Sequence, residues 1–163
     1  MGQSDKIVPE GFHSINPYLV VRNAAKAIEF YKKVFGAEER FRMHGLDGKT
    51  IMHADLKIGD SVFMLTEESP EMKTLSPESV GGSPVSMYLY VKDVDHVFNQ
   101  AVSEGATLLS SVRDQFYGDR SGYLRDPFGH LWSVATHKKD LSPEELRKAA
   151  QAYLEEMSKT KTV

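Results

Sequence analysis

Tyr18-Leu-Val-Val-Arg-Asn23 returns 70 positions later as Tyr88-Leu-Tyr-Val-Lys-Asp93. Internal repetition outranks other sequence signals, because each repeat is one supersecondary unit. Each copy is an apolar run that stops at a favourable helix N-cap, Asn23 or Asp93. A helical pattern follows both. Ala27, Ile28, Tyr31, Val34 and Phe35 recur at three- and four-residue spacing, as do Val94, Val97, Phe98, Ala101 and Val102. Each helix then meets a Gly-Ala pair, Gly36-Ala37 or Gly105-Ala106, with glycine where a left-handed C-cap is wanted.

Strand signals extend both copies. The first continues through residues 50–58, a Gly59-Asp60 turn and residues 61–66. The second continues through residues 120–125, an Asp126-Pro127-Phe128-Gly129 turn and residues 130–136. Residues 40–44 and 107–112 are weaker strands. Each half therefore reads β-α-β-β-β, an α+β module, over residues 12–66 and 85–137. A linker rich in Glu, Ser, Pro and Gly spans 67–84. Two such halves are expected to pair curved mixed sheets around a cavity within one domain, residues 12–140, because a single sheet cannot bury its face alone. The competing reading is two unrelated α+β segments.

Residues 141–163 form a tail. Ser142-Pro143-Glu144-Glu145 reads as a capping box with proline at N1. Leu146, Ala149, Ala150, Tyr153, Leu154 and Met157 make one apolar stripe. That stripe suits a helix packed on its own domain or a contact across a dimer.

Composition narrows the function classes. The chain has 163 residues, 40% hydrophobic and 26% charged, with net charge −3. That length fits one domain or two small modules, since a domain averages ~100–200 residues. The hydrophobic content argues against intrinsic disorder, and the acidic balance against a nucleic-acid footprint. With no cysteine there is no disulfide, thiolate metal site or thiol nucleophile. No apolar run reaches the ~18 residues of a membrane span. The first residues lack an apolar signal core, so a cytoplasmic location is expected.

The tandem module closing on Asp126-Pro-Phe-Gly-His-Leu-Trp132 resembles the vicinal oxygen chelate superfamily, which contains glyoxalase I, bleomycin-resistance proteins, fosfomycin-resistance enzymes and extradiol dioxygenases. Asn16-Pro-Tyr-Leu, Ala27-Ile-Glu-Phe-Tyr31, Phe35-Gly-Ala-Glu38, Phe116-Tyr-Gly-Asp-Arg120 and Arg125-Asp-Pro-Phe-Gly-His130 resemble its PhnB-like branch. The resemblance implies a divalent metal held by His or Glu on the first and last strand of each module. Those positions fall on Asn16, Met64, Ser86 and Ser133. Amide, hydroxyl and thioether groups are poor ligands for Zn, Ni, Mn or Fe. The expectation is therefore no metal and no other cofactor. The resemblance then implies a small-molecule binder like the drug-sequestering members, working as a homodimer, with no nucleic-acid or membrane partner. The alternative is a lyase, isomerase or epimerase of the same superfamily, metal-dependent or His-based.

Period-two alternation selects the residues for a ligand face. In the first half these are Asn16, Tyr18 and Val20, with Ile51, His53, Asp55 and Lys57. Met52, Ala54, Leu56 and Ile58 should face the helices. In the second half the set is Ser86, Tyr88, Tyr90, Ser121, Tyr123 and Arg125. The tyrosines suit a planar ligand or plain packing between sheets. His53 and Asp55 are the catalytic candidates: a general base, part of an unusual metal site, or a hydrogen-bonded strand face. Arg125 suits an anionic ligand, or a pair with Asp55 or Asp126. Tyr117 and Arg120, in the Phe116–Arg120 loop, suit a ligand clamp or a solvated turn. His130 reads as surface hydrogen bonding and Trp132 as core.

Overall fold

The computed structural model describes residues 6–160. Two compact units carry the repeat. One runs to Val85 and includes Asp126–His130; the other holds Ser86–Arg125 and the chain from Leu131 onward.

The first unit contains β1 (Tyr18–Val21), α1 (Ala24–Phe35), β2 (Glu38–His44), β3 (Ile51–Ile58) and β4 (Ser61–Glu67). Its strand order is β1-β4-β3-β2, with β1 parallel to β4 and the other pairs antiparallel. The Asn23 side chain caps α1 by accepting from the Lys26 amide at 3.0 Å. Gly36 ends it with φ 66°, where an L side chain would be strained. The predicted stripe, Ala27, Ile28, Tyr31, Val34 and Phe35, is buried along with Leu19, Val21, Ala54, Leu56, Val62 and Leu65. Each large aliphatic residue so placed contributes ~1.5–3 kcal/mol relative to leaving it exposed.

The Asp126–His130 turn completes this unit. Asp126 Oδ2 accepts from the Tyr31 hydroxyl at 2.7 Å, and Oδ1 accepts from the Phe128 and His130 amides at 2.9 Å each. Phe128 meets Phe30 edge-on at 6.0 Å between ring centres. His130, expected at the surface, is buried, because its Nε2 reaches the Val20 carbonyl at 3.0 Å.

The second unit contains β5 (Ser86–Tyr90), α3 (Val94–Ser103), β6 (Thr107–Asp114), β7 (Asp119–Arg125), β8 (Leu131–His137) and α4 (Pro143–Thr160). Its order, β5-β8-β7-β6, repeats that of the first sheet, again with one parallel pair. Asp93 caps α3 through the His96 amide. Gly122 lets α3 approach the sheet: a Cβ there would stand 2.6 Å from the Phe98 ring and 2.9 Å from Val112. Trp132 is buried, as expected from its alternation with Ser133.

Two local expectations are corrected. Between Met43 and His44 the β2–β3 register slips, so that Met43 faces His53 and His44 faces Ile51. Met52 is the extra residue of this bulge, and an extra residue shifts the alternation by one. Ile51 is consequently buried and Met52 is 40% exposed, the reverse of strict alternation. Second, β7 begins at Asp119, one residue earlier than expected. Arg120, already in the expected strand, lies on the face opposite Asp119 and Ser121. The linker has local structure of its own. It forms a 3-10 turn, Pro70–Met72, and a short helix α2, Pro77–Val80.

Glu68 organises that linker. Its carboxylate accepts from the Ser76 amide and hydroxyl at 2.9 and 2.8 Å, from the Ser79 hydroxyl, and from Arg22 at 3.2 Å. The Ser79 and Ser76 donors hold its pKa down to about 2. A depressed carboxylate contributes stability above its ordinary pKa of 4.5 and loses it as pH falls toward 2. We expect Glu68→Gln to leave the sheets folded while speeding limited proteolysis within residues 69–80 at neutral pH. In the native protein the same cleavage should accelerate only as pH drops below about 4. Equal cleavage rates for variant and native protein would refute the clasp.

The tail helix α4 keeps its capping box. The Ser142 amide donates to Glu145 at 2.8 Å and the Glu145 amide donates to Ser142 Oγ at 3.3 Å. Tyr153 stacks on Phe116 with ring centres 4.9 Å apart, so α4 packs on its own unit. Leu146, Leu154 and Met157 of the same stripe remain exposed. Among the described residues, no helix is long and apolar enough to cross a membrane.

Candidate functional site

Each sheet buries one face under its helix and leaves the other rich in aromatic side chains. On the first, β1 and β3 bring Tyr18 beside His53. The Tyr18 hydroxyl lies 3.4 Å from His53 Nδ1, and His53 Nε2 lies 2.8 Å from Asp55 Oδ1. A carboxylate only accepts, so Nε2 carries the proton and Nδ1 is left as the acceptor. Tyr18 and Phe41 flank the imidazole with ring centres 5.7 and 6.2 Å away, and both are about half exposed. The 3.4 Å contact is near the outer limit of a hydrogen bond. An incoming ligand could displace it and meet a histidine already oriented by Asp55.

The second sheet holds a denser arrangement. Asp119 is buried at the start of β7. Its Oδ2 accepts from the hydroxyls of Tyr88 at 3.0 Å and Tyr90 at 2.9 Å. Its Oδ1 faces His137 Nδ1 at 2.7 Å, and His137 Nε2 faces Asp140 at 3.0 Å. Both ring nitrogens of His137 point at carboxylates, so the protonated ring satisfies both. The hydrogen bonds to Asp119 and then Asp140 raise its pKa. Burial pushes the Asp119 pKa up, but the donors His137, Tyr90 and Tyr88 outweigh it and leave it lowered. Burial, then Tyr117 and Asp119, raises the Tyr88 phenol. Tyr117, on the β6–β7 turn, lies 3.4 Å from both the Tyr88 hydroxyl and Ser121 Oγ. Tyr88 and Tyr90, 5.2 Å apart between ring centres, are thus fixed at their polar ends while 47% and 59% exposed.

The other sequence candidates lie as follows. Asn16 precedes β1, and its amide is bonded both ways to the His13 backbone, at 3.0 and 2.5 Å. Ser86 opens β5, exposed. Tyr123 is half-buried opposite Ser133. Arg125 is exposed; Asp55 is engaged by His53 and Asp126 by Tyr31, and among the described residues no ion pair holds Arg125. Arg120 turns to the helix side, where Nε and Nη2 donate to Asp95 at 2.7 Å each. That fork raises the Arg120 pKa and lowers that of Asp95. Sequence reasoning passed over Asp119 and His137. Extending the alternation of Ser121 and Tyr123 back by two residues, and that of Ser133 and Ala135 forward by two, reaches both.

A divalent metal of the kind the resemblance implies does not fit. The four positions offer an amide, a thioether and two hydroxyls, and the Asn16 amide is already committed. Among the described residues, no group of three or more His, Asp or Glu side chains converges on a metal-sized site.

Comparison with known proteins agrees with this architecture. The family model described as Glyoxalase/Bleomycin resistance protein/Dioxygenase superfamily matches residues 11–134. The uncharacterized Mycobacterium bovis protein Mb0911c is 43% identical over 139 residues, covering 83% of this chain and 91% of that one. Protein PA1353 of Pseudomonas aeruginosa superposes with a TM-score of 0.64 at 22% identity, over 78% of this chain and 99% of that one. A PhnB protein of Bacillus cereus does so with a TM-score of 0.61 at 19% identity, over 76% and 99%. At such identities the two structures speak to fold alone.

Proposed function

This chain belongs to the Glyoxalase/Bleomycin resistance protein/Dioxygenase superfamily, and from that premise we propose that it binds a small planar organic molecule without a metal. The observation that carries this reading is the Tyr88–Tyr90 pair, exposed but anchored on one buried carboxylate. Aromatic rings held in place before a ligand arrives lose little conformational freedom on binding. Small-molecule sites are commonly such aromatic walls with a few placed polar groups. Tyr18, Phe41 and His53 offer the same chemistry on the other sheet, and Ser86, Tyr117, Tyr123 and Arg125 supply polar edges. In this reading residues 12–140 act as one glyoxalase-like domain, and the protein works as a cytoplasmic homodimer. Light scattering tests the assembly: a monomeric mass at micromolar concentration would sink it.

The binding test uses chelator-treated protein and a panel of planar aromatic compounds. A saturable change in tyrosine or Trp132 fluorescence is expected for some of them. Silence across a broad panel would count against binding.

One observation favours a second reading, catalysis. His53 is oriented by Asp55 at 2.8 Å with its other nitrogen under only a weak contact. An imidazole so held suits proton abstraction in a lyase or isomerase. Were that its role, His53→Ala would cut turnover of any substrate found by ~10²–10⁴-fold while leaving affinity within a few-fold. Turnover unchanged by the substitution would remove this reading.

A further inference from the structure

A cleft of about 460 Å³ opens in the second unit between the β6–β7 turn, residues 138–141 and the first turns of α4. That is the size of a small-molecule site. Its apolar lining is Phe116, Leu141 and Ala149. Its charged lining comprises three lysines, Lys138, Lys139 and Lys148, and three acids, Asp114, Asp119 and Glu145.

Each of the acids has partners outside the cleft's lysines. Asp114 is paired with Arg120 at 3.2 Å. Asp119 is held by His137, Tyr88 and Tyr90. Glu145 caps α4 on the Ser142 amide. Lys148 pairs with Glu144 at 2.7 Å. Among the described residues, no ion pair engages Lys138 or Lys139, although Lys138 helps lower the Asp95 pKa behind Arg120 and Lys139 helps lower the Glu145 pKa behind the Ser142 hydrogen bonds.

The backbone that carries these two lysines is fixed in place. The amides of Lys138 and Lys139 both donate to the Gly118 carbonyl at 3.0 Å. Gly118 has φ 98°, and a Cβ on it would stand 2.2 Å from the Lys139 carbonyl oxygen. Only glycine allows this approach, which gives a physical reason for the middle residue of Phe116-Tyr-Gly-Asp-Arg120.

We propose that this cleft binds a small amphipathic anion, an aromatic carboxylate or sulfonate. Its ring rests on Phe116, Leu141 and Ala149, and its acid group lies between Lys138 and Lys139. Charge-assisted contacts to the acid group supply direction, and the apolar floor supplies area. Neither the Tyr88–Tyr90 pair nor His53 takes part, although Asp119, which anchors that pair, also lines this cleft.

The probe is 8-anilinonaphthalene-1-sulfonate, titrated by its fluorescence against the full chain, with the uncharged N-phenyl-1-naphthylamine beside it. Saturable one-site binding of the sulfonate is expected. Lys138→Glu with Lys139→Glu should weaken it by roughly tenfold or more, the size of lost charged contacts. Lys138→Arg with Lys139→Arg should retain it. Both lysines are exposed, and far-UV circular dichroism verifies that each variant is folded. Amide shifts in NMR spectra should centre on Gln115, Gly118 and Leu141. Four outcomes overturn the proposal: no saturable binding, equal affinity for the uncharged probe, undiminished binding by the double glutamate variant, or shifts centred elsewhere.

Discussion

Asp126→Ala should be among the most destabilising single substitutions in the chain, costing about 3–5 kcal/mol, the range for breaking a buried charged network. The fully buried Tyr31 hydroxyl loses its 2.7 Å acceptor at a stroke, and the Phe128 and His130 amides lose theirs. Buried donors left without partners cost far more than the net worth of the bonds they made. The partner substitution discriminates this account from simple cavity formation. Tyr31→Phe removes one donor yet leaves Asp126 both backbone amides, so it should cost only about 1–2 kcal/mol. Tyr31→Phe combined with Asp126→Ala should then cost clearly less than the sum of the two, because the orphaned hydroxyl is gone. Urea denaturation of the three variants measures the coupling. Strict additivity would mean that the network contributes nothing as a unit.

The elements legible in the sequence are those whose causes are local. Asn23 and Asp93 cap helices through their own third-next amides, and Gly36 ends α1 through its own backbone. Such signals need no knowledge of distant contacts, so the repeat and both β-α-β-β-β modules could be read directly. The bulge at Met52 is different in kind. It depends on how β2 meets β3, and nothing in residues 51–58 alone announces it. Glu68 likewise looked like one more charge in a polar linker, because its donors lie 8 and 11 residues further on.

The candidate site was legible as a surface but not as a network. Alternation alone identified Tyr18, His53, Asp55, Tyr88 and Tyr90 as sharing open faces. Their hydrogen bonds then depend on which partners the sheet order brings alongside. His53–Asp55 could be read because both residues lie on one strand. Asp119–His137 could not, because it requires β7 and β8 to pair in the observed register, Asp119 opposite His137. Arg120 shows how sharp the boundary is. The loop motif made its guanidinium a prospective ligand clamp, but its place on the strand face opposite Ser121 makes it a partner of Asp95 in α3.

Asp119→Ala should weaken aromatic ligand binding even though the carboxylate need never touch the ligand. Tyr88, Tyr90 and His137 all rest on it, so removing it frees two ring orientations and one imidazole together. Because the tyrosine hydroxyls are near solvent and water can replace the lost acceptor, the stability cost should be modest, about 2 kcal/mol. Affinity should fall by at least about tenfold, since two formerly fixed side chains must be ordered by the ligand. Asp119→Asn separates charge from packing. It keeps an acceptor for the tyrosines but removes the negative charge that raises the His137 pKa. In the native protein that raised value means the His137 contribution to stability is complete below the ordinary 6.5 and is lost as pH climbs through the raised value. The opposite limb belongs to Asp119, whose lowered value makes its contribution complete above 3.8 and lost on acidification. Both limbs should flatten in Asp119→Asn, and NMR titration of His137 should show its pKa falling. If the His137 titration is unmoved by Asp119→Asn, the carboxylate does not govern the imidazole, and the account of a preorganised aromatic face falls with it.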